Sequence, residues 1–191
     1  MVINFFGNGC FRLQSGETSI LLNPENNRLK ADVILKTIAP TETELLTEVE
    51  ESPTISFPGE YEVKGIEIVG FPIGNESTEK FLKTAYSIIW EEMKFVFLGH
   101  PSQPIDAKLM EEFSDPDVLI LPVGGGHFLE PDVAAKIAKQ LEARIVIPSF
   151  YKNPDEFLKA VGKKGETMEK LVFKPKDISE DKGRPIILKE S

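Results

Sequence analysis

The sequence predicts an α+β fold in which β-sheets are covered by helices on their outer faces. Short strands separated by turn residues fill the first half of the chain, and β-α-β units follow in the second half. Apolar runs such as VLILPV and RIVIP are typical of strands that are buried on both faces of a sheet. Two sheets packed face to face, with helices outside them, accommodate this order of elements.

The first half of the chain is predicted to consist of strands joined by turns. VINFF, CFRLQ and TSILL come first, and residues 15–17 between the last two are typical of a hairpin turn. A polar loop leads into the strand DVILKT. Thr41 and Glu44 then form a capping box for a short helix that ends near Glu50. The strands TISF, EYEVKGIEIVGF, TAYSIIW and KFVFLG follow.

The second half alternates between helices and strands. The helices AKLMEEF, PDVAAKIAKQL and PDEFLKAVG precede the β segments DVLILPV, ARIVIPSF and EKLVFKP, respectively. The polar segments 74–80 and 178–185 are predicted to be loops. No linker-like composition shift, repeat or low-complexity tract divides the chain, so we predict a single domain over residues 1–191.

Composition excludes several classes of partner. The 191 residues carry 31 acidic and 22 basic side chains, a formal charge of −9, and no basic cluster, which disfavours nucleic acid and anionic membranes. The single cysteine, Cys10, rules out an internal disulfide and a thiolate-rich metal site. No apolar run is long enough to span a bilayer, and the start is unlike a signal peptide. We therefore predict a soluble cytoplasmic protein.

Several segments, taken together, resemble a known family. FFGNGCFRL, SILLNP, ADVILKT, FPGEYEVKG, FVFLGHP, LPVGGG and IVIPSFY are similar, in this order, to segments of compact metal-dependent hydrolases. That group belongs to the metallo-β-lactamase fold superfamily and is similar to ascorbate-phosphate lactonases. The resemblance implies a four-layer αββα sandwich of two mixed β-sheets. It also implies a two-metal site where strand ends of both sheets meet, built from imidazoles and carboxylates.

Carried over position by position, the metal-binding motifs of that family are degenerate in this chain. The histidine-x-histidine-x-aspartate-histidine motif falls on Ile38, Pro40, Glu42 and Thr43, the bridging aspartate on His100, and the final histidine on Phe150. A further loop histidine falls near Asn75, and the histidine of the opening turn falls on Asn8. Isoleucine, proline and phenylalanine have no lone pairs to donate. The sequence therefore predicts a metal-free pseudoenzyme without a cofactor, which binds a small molecule or a protein.

Three alternatives stay open. The first is a lactone or phosphoester hydrolase with a reduced or rebuilt metal site at His100 and Glu42, completed by a ligand such as Asp106 or His127. A second is a catalytic trio of Ser149, His100 and Glu42, acting as nucleophile, base and orienting group. The third is a structural role or homo-oligomer formation. Whether the former cleft is open, or filled by apolar side chains, is also left open.

The glycine run at 124–126 follows a strand and precedes a helix, which is where phosphate-binding loops lie. The run lacks the Gly-Lys-Ser/Thr ending of a phosphate loop. Glu130 and Asp132 also place negative charge at the start of the helix, which disfavours an anion there. We therefore predict a tight turn beside the cleft.

Overall fold

The computed structural model describes residues 1–26, 28–41 and 53–191, and fifteen β-strands and three α-helices lie in this part of the chain. The strands are β1 (Val2–Phe5), β2 (Phe11–Ser15), β3 (Thr18–Leu22), β4 (Val33–Leu35), β5 (Ile38–Pro40), β6 (Thr54–Ile55), β7 (Gly59–Val63), β8 (Ile66–Pro72), β9 (Phe81–Trp90), β10 (Met93–Phe97), β11 (Val118–Pro122), β12 (Ile145–Ser149), β13 (Glu166–Met168), β14 (Leu171–Val172) and β15 (Arg184–Leu188). The helices are α1 (Ala107–Glu112), α2 (Pro131–Gln140) and α3 (Asp155–Val161), and a 3₁₀ helix covers Pro175–Asp177.

The strands form two mixed sheets. One sheet has six strands in the order β14-β1-β2-β3-β4-β6, antiparallel up to β3 and parallel beyond it. The second has nine strands in the order β13-β15-β12-β11-β10-β9-β8-β7, and β5 pairs with β9 beside this path. In the second sheet the hairpin-linked strands β7 to β10 are antiparallel, and the strands that alternate with helices are parallel.

The main core lies between the two sheets, and a second core lies under the helices. In β10, Phe95 and Phe97 point into the first core, whereas Val96 belongs to the second, because side chains alternate along a strand. The apolar stripe of α2 covers the outer face of the nine-stranded sheet, as its spacing predicts. The predicted α+β class, with two mixed sheets, is confirmed. The predicted helix that begins after Thr41 lies outside the described residues.

The C-terminal strand differs from the sequence prediction. Residues 184 and 185, predicted to be loop, belong to β15, whose Ile186, Ile187 and Leu188 are buried. The polar composition of ISEDKGRP led to the loop prediction. Proline cannot donate to a ladder, but it is tolerated at 185 because Arg184 N donates to Arg144 O on the β12 side, so that position 185 faces β13, whose pairing begins only at Ile186.

None of the helices in the described ranges is long and apolar enough to cross a membrane.

The buried position of β15 leads to a stability prediction. Truncating the fully buried side chain by Ile186→Ala is expected to lower the free energy of unfolding by about 2–5 kcal/mol, through lost burial and a residual cavity. The matched truncation Val172→Ala, at a side chain that is 62% exposed, should change it by less than about 0.5 kcal/mol. Urea denaturation measures both. Equal losses would contradict the assignment of β15 to the core.

Candidate functional site

A cavity of about 910 Å³ opens where strand ends meet. The loops that follow β1, β3, β10, β11 and β12 contribute its walls, including Asn8, Glu25, His100, Phe128 and Phe150. Ligands of sheet-based folds commonly bind beyond the carboxyl ends of parallel strands. The cavity is also of the size typical of small-molecule sites. The former cleft is therefore open, which the sequence alone did not decide.

His100 is held from both ends. Its ring Nδ1 lies 2.6 Å from the Oγ1 atom of the fully buried Thr37. Its backbone oxygen accepts a hydrogen bond from Lys83 Nζ at 2.7 Å. Thr37 is in turn fixed by Asn23, whose Oδ1 accepts from the Thr37 backbone N–H at 2.9 Å. The imidazole therefore has one defined orientation at the cavity wall.

This network decides which nitrogen of His100 is free for a ligand. Asn23 Nδ2 donates to Thr37 Oγ1 at 2.9 Å, and Asn23 Oδ1 accepts from the backbone N–H of Thr37 and lies 3.1 Å from Thr37 Oγ1. The Thr37 hydroxyl thus has two acceptors in reach, Asn23 Oδ1 and His100 Nδ1, and both tautomers of the neutral imidazole satisfy the contact. In either tautomer Nδ1 is engaged by Thr37, which leaves Nε2 as the ring nitrogen available at the cavity.

Burial, and next the positive charge of Lys83, lower the pKa of His100 from 6.5 to about 4. The imidazole is therefore neutral at pH 7. The Nε2 atom of the neutral His100 ring can therefore form a hydrogen bond with a ligand.

A second polar cluster ties the 74–80 loop to the loop that carries His100. The Glu76 side chain is 6% exposed, and it accepts hydrogen bonds from Lys83 Nζ at 2.7 Å, from Ser102 N and from Gln103 N. Burial raises the pKa of Glu76, but these hydrogen bonds outweigh burial and hold the pKa below its usual range. Lys83 thus joins a buried carboxylate to the His100 carbonyl. Thr37, Glu76 and Lys83 position His100.

Phe150 has a strained backbone, with φ of 51°, in the left-handed region that bulky residues rarely adopt. Its backbone N–H donates to Asn8 O at 2.9 Å. Its ring lies on Gly9, where an added Cβ atom would be 2.0 Å from Phe150 Cζ. Its carbonyl oxygen would be 1.9 Å from a Cβ atom at Gly124. The two glycines leave the space that this conformation requires.

Three rings form an aromatic wall of the cavity, which we define as His100, Phe128 and Phe150. The Phe128 and Phe150 rings stack with centroids 4.4 Å apart and planes inclined by 17°. The centroids of His100 and Phe150 are 4.5 Å apart. Both phenylalanines are only half-buried. Part of their ring surface is therefore available to a ligand.

The glycine turn is occupied by a carboxylate of the protein itself. Gly126 N donates to Glu130 Oε1 at 3.0 Å. Gly125 also lies against the Glu130 carboxylate, since a Cβ atom added at Gly125 would be 2.9 Å from Glu130 Oε2. Glu130 thus takes the place that an anion would occupy in a phosphate loop, as its charge at the helix start led us to expect. The tight turn beside the cleft is accordingly a poor phosphate site.

The other predicted site residues are distributed unevenly. Asn8, His100, His127 and Phe150 line the cavity, but Ile38, Pro40, Asn75 and Ser149 do not. Ile38 and Pro40 pair with β9, Pro40 and Asn75 are exposed, and Asp106 caps α1 by accepting from Leu109 N. Ser149 is fully buried, and its Oγ has no hydrogen-bond partner among the described residues. Glu42 and Thr43 lie outside the described residues.

The trio of Ser149, His100 and Glu42 gains no support from this geometry. A serine nucleophile needs a base within hydrogen-bonding reach. His100 instead uses its Nδ1 on Thr37, and Ser149 is hidden beneath the strand end.

The donor set was tested against the two-metal centre that the family resemblance implies. Residues 1–26, 28–41 and 53–191 contain no group of three or more His, Cys, Asp or Glu side chains that could hold a metal ion. His100 is also bound through Nδ1 to a hydroxyl, whereas a metal-ligating histidine usually donates its other N–H to a carboxylate or carbonyl. Within these residues, the side chains present do not fit such a centre.

Sequence reasoning missed four residues of the site: Asn23, Thr37, Glu76 and Phe128. Polar residues directly after buried strands, as in ILLN and VILKT, were the available signal for Asn23 and Thr37. Glu76 and Phe128 lie in loops, where no periodicity reports burial.

A family model described as a beta-lactamase superfamily domain matches residues 2–149. The chain belongs to this family. The superfamily resemblance predicted from the sequence is thereby confirmed. A relative from Methanopyrus kandleri, named a UPF0173 metal-dependent hydrolase, is 27% identical over 142 residues, which cover 66% of this chain and 62% of that protein. A second with the same name, from Thermococcus onnurineus, is 31% identical over 134 residues, covering 64% of this chain and 58% of that protein.

The matches to these two curated relatives span about three fifths of their length. A solved structure from Thermotoga maritima, described as a candidate Zn-dependent hydrolase of the metallo-β-lactamase superfamily, superposes with a TM-score of 0.77 at 24% identity. It covers 98% of this chain and 97% of that chain. The metallo-β-lactamase fold protein YhfI from Bacillus subtilis gives 0.67 at 12% identity, covering 99% and 96%. Identities this low show a shared fold and nothing about activity.

The contact between Gly9 and Phe150 leads to a prediction. Gly9→Ala is expected to lower the free energy of unfolding by about 1–3 kcal/mol, because the new methyl group overlaps the Phe150 ring. The control Gly74→Ala adds a methyl group with nothing within 4 Å. Adding Phe150→Leu to Gly9→Ala should recover part of the loss, since the two sites are in contact. Additive losses in urea denaturation would contradict this contact.

The environment of His100 predicts a pH dependence. Between pH 6.5 and about 4, the unfolded chain binds a proton at His100 that the folded protein does not. This contribution to stability is complete above pH 6.5 and is lost as the pH falls towards 4. Proton NMR titration of the two imidazoles checks it, with His127→Gln to assign the signals. The wild-type protein should also lose more stability than His100→Gln between pH 7 and 5, and a His100 midpoint near 6.5 would contradict the burial.

Proposed function

We propose that this chain binds a small molecule in the cavity at the strand ends and does not catalyse two-metal hydrolysis. The observation that carries the proposal is the state of His100, the residue at the family's bridging-aspartate position. Its Nδ1 is engaged by Thr37, which leaves Nε2 available at the cavity as a hydrogen-bonding atom. The resemblance also puts carbon-only side chains at Ile38, Pro40 and Phe150, where relatives have histidines. The cavity itself is open and of ligand size.

In this proposal the chain's own residues bind and orient, and none transfers a proton. His100 forms a hydrogen bond with the ligand through Nε2. Burial and the positive charge of Lys83 keep its imidazole neutral, and Thr37, which is held by Asn23, keeps it oriented. Phe150 occupies space where a relative would hold a ligand histidine. The cytoplasmic location, the single domain and the oligomeric state stay predictions.

A second candidate is a metal-dependent hydrolase, acting on a lactone or phosphoester, with a rebuilt site around His100. One observation favours it, which is that relatives carry the name metal-dependent hydrolase. Its predicted ligand Glu42 lies outside the described residues.

Metal binding separates the two candidates. We expect the purified protein, incubated with zinc, manganese or iron(II) and then desalted, to retain no stoichiometric metal on elemental analysis. We also expect no turnover of lactone or phosphodiester substrates. A zinc-binding protein carried through the same incubation and desalting is the positive control for retained metal.

Stoichiometric metal in the wild-type protein, together with turnover, would overturn the proposal. His100→Ala then identifies the rebuilt site. It abolishes metal uptake if His100 is a ligand and changes nothing if the wild-type protein takes up no metal.

A further inference from the structure

The aromatic wall gives the cavity a preference for planar rings. Phe150 is covered by Phe128, by His100 and by the backbone of Gly9. Phe128 has Phe150 against one face, and the rest of its ring contributes to the cavity wall. Aromatic rings attract other rings in stacked or edge-on arrangements, beyond the effect of buried area alone.

The charges that line the cavity disfavour an anionic ligand. Among the described residues that line it, Glu25 and Glu156 are acidic, and Lys152 is the single lysine or arginine. The negative charge of Glu25 also acts on Cys10. Burial of the thiol first, and the charge of Glu25 second, raise the pKa of Cys10 to about 11. The glycine turn, which could attract an anion through its N–H groups, is already satisfied by Glu130.

The polar groups on the wall are mostly engaged with each other. Asn8 Nδ2 donates to Glu25 Oε1 at 2.6 Å, and both amide atoms of Asn23 are bonded to Thr37. No hydrogen bond to His100 Nε2 occurs among the described residues. This atom is therefore available to form a hydrogen bond with a ligand beside the aromatic wall.

Building on the proposed function, we propose that the cavity binds a small planar aromatic molecule without negative charge. Its ring packs against Phe128, and a polar group such as an amide forms a hydrogen bond with His100 Nε2. The carboxylates of Glu25 and Glu156 exclude negatively charged analogues and favour a positive charge on the ring.

Four small probes of matched size test this inference. Nicotinamide has the planar ring, the neutral charge and the amide. N-methylnicotinamide, here the pyridinium ion methylated on the ring nitrogen, adds a positive charge. Nicotinate replaces the amide by a carboxylate, and cyclohexanecarboxamide keeps the amide on a saturated ring. Ligand-observed NMR titration of the full protein at low ionic strength gives the four affinities.

We expect nicotinamide and N-methylnicotinamide to bind. Nicotinate should bind about fivefold more weakly or worse, with a difference that shrinks as salt screens the carboxylates. Cyclohexanecarboxamide should bind more weakly by a factor of about five, from the loss of ring stacking.

Matched variants locate the binding. Phe128→Leu keeps an apolar side chain but removes the ring, and should weaken nicotinamide about fivefold while leaving cyclohexanecarboxamide unchanged. Phe81→Leu is the control, since Phe81 is half exposed and does not line the cavity. The double variant Glu25→Gln/Glu156→Gln should bring nicotinate to the affinity of nicotinamide.

The inference is overturned if no probe binds, if nicotinate or cyclohexanecarboxamide binds as tightly as nicotinamide, or if Phe128→Leu and Phe81→Leu behave alike. Elemental analysis of the same samples keeps the two proposals apart. If the protein holds no metal and none of the probes binds as expected, only the proposed ligand class is overturned. Stoichiometric metal overturns the proposed function on which the ligand class rests.

Discussion

The hydrogen bond between Thr37 and His100 joins the two sheets at the cavity. Thr37 lies between β4, in the six-stranded sheet, and β5, which pairs with the other sheet. His100 follows β10 in the nine-stranded sheet. A buried polar pair of this kind is stable only when each member is satisfied, and Asn23 and Lys83 complete it. The chemistry available at the cavity depends on this pair, because it decides which nitrogen of His100 faces outward.

Phe150 shows that the backbone geometry at its position is set by the main chain. Its left-handed backbone, the hydrogen bond to Asn8 and the closely fitting glycines all depend on the main chain rather than on the side chain at 150. The backbone strain therefore does not depend on which side chain stands at 150, where the resemblance places a histidine in relatives. Strained residues concentrate at functional sites. Here the strain holds an aromatic ring at the cavity.

The fold could be predicted from the sequence because its signals are local. Alternating burial along β10 and the apolar stripe of α2 follow directly from residue spacing. β15 was missed because the polar residues of 178–185 indicate a loop, whereas Arg184 and Pro185 pair with β12. The site was only partly predictable. The family resemblance led to His100 and Phe150, but the partners of His100 at Thr37 and Asn23 are 63 and 77 positions away in the chain, and no local pattern reports such distances.

The fit of Phe150 over Gly9 also limits how this site can be changed. Histidine at 150 would place one imidazole beside Phe128 and His100, while Ile38 and Pro40 supply no donor. Changes at the rim, as at Glu25 or Glu156, can instead alter the charge of the cavity wall without touching the contact between Phe150 and Gly9.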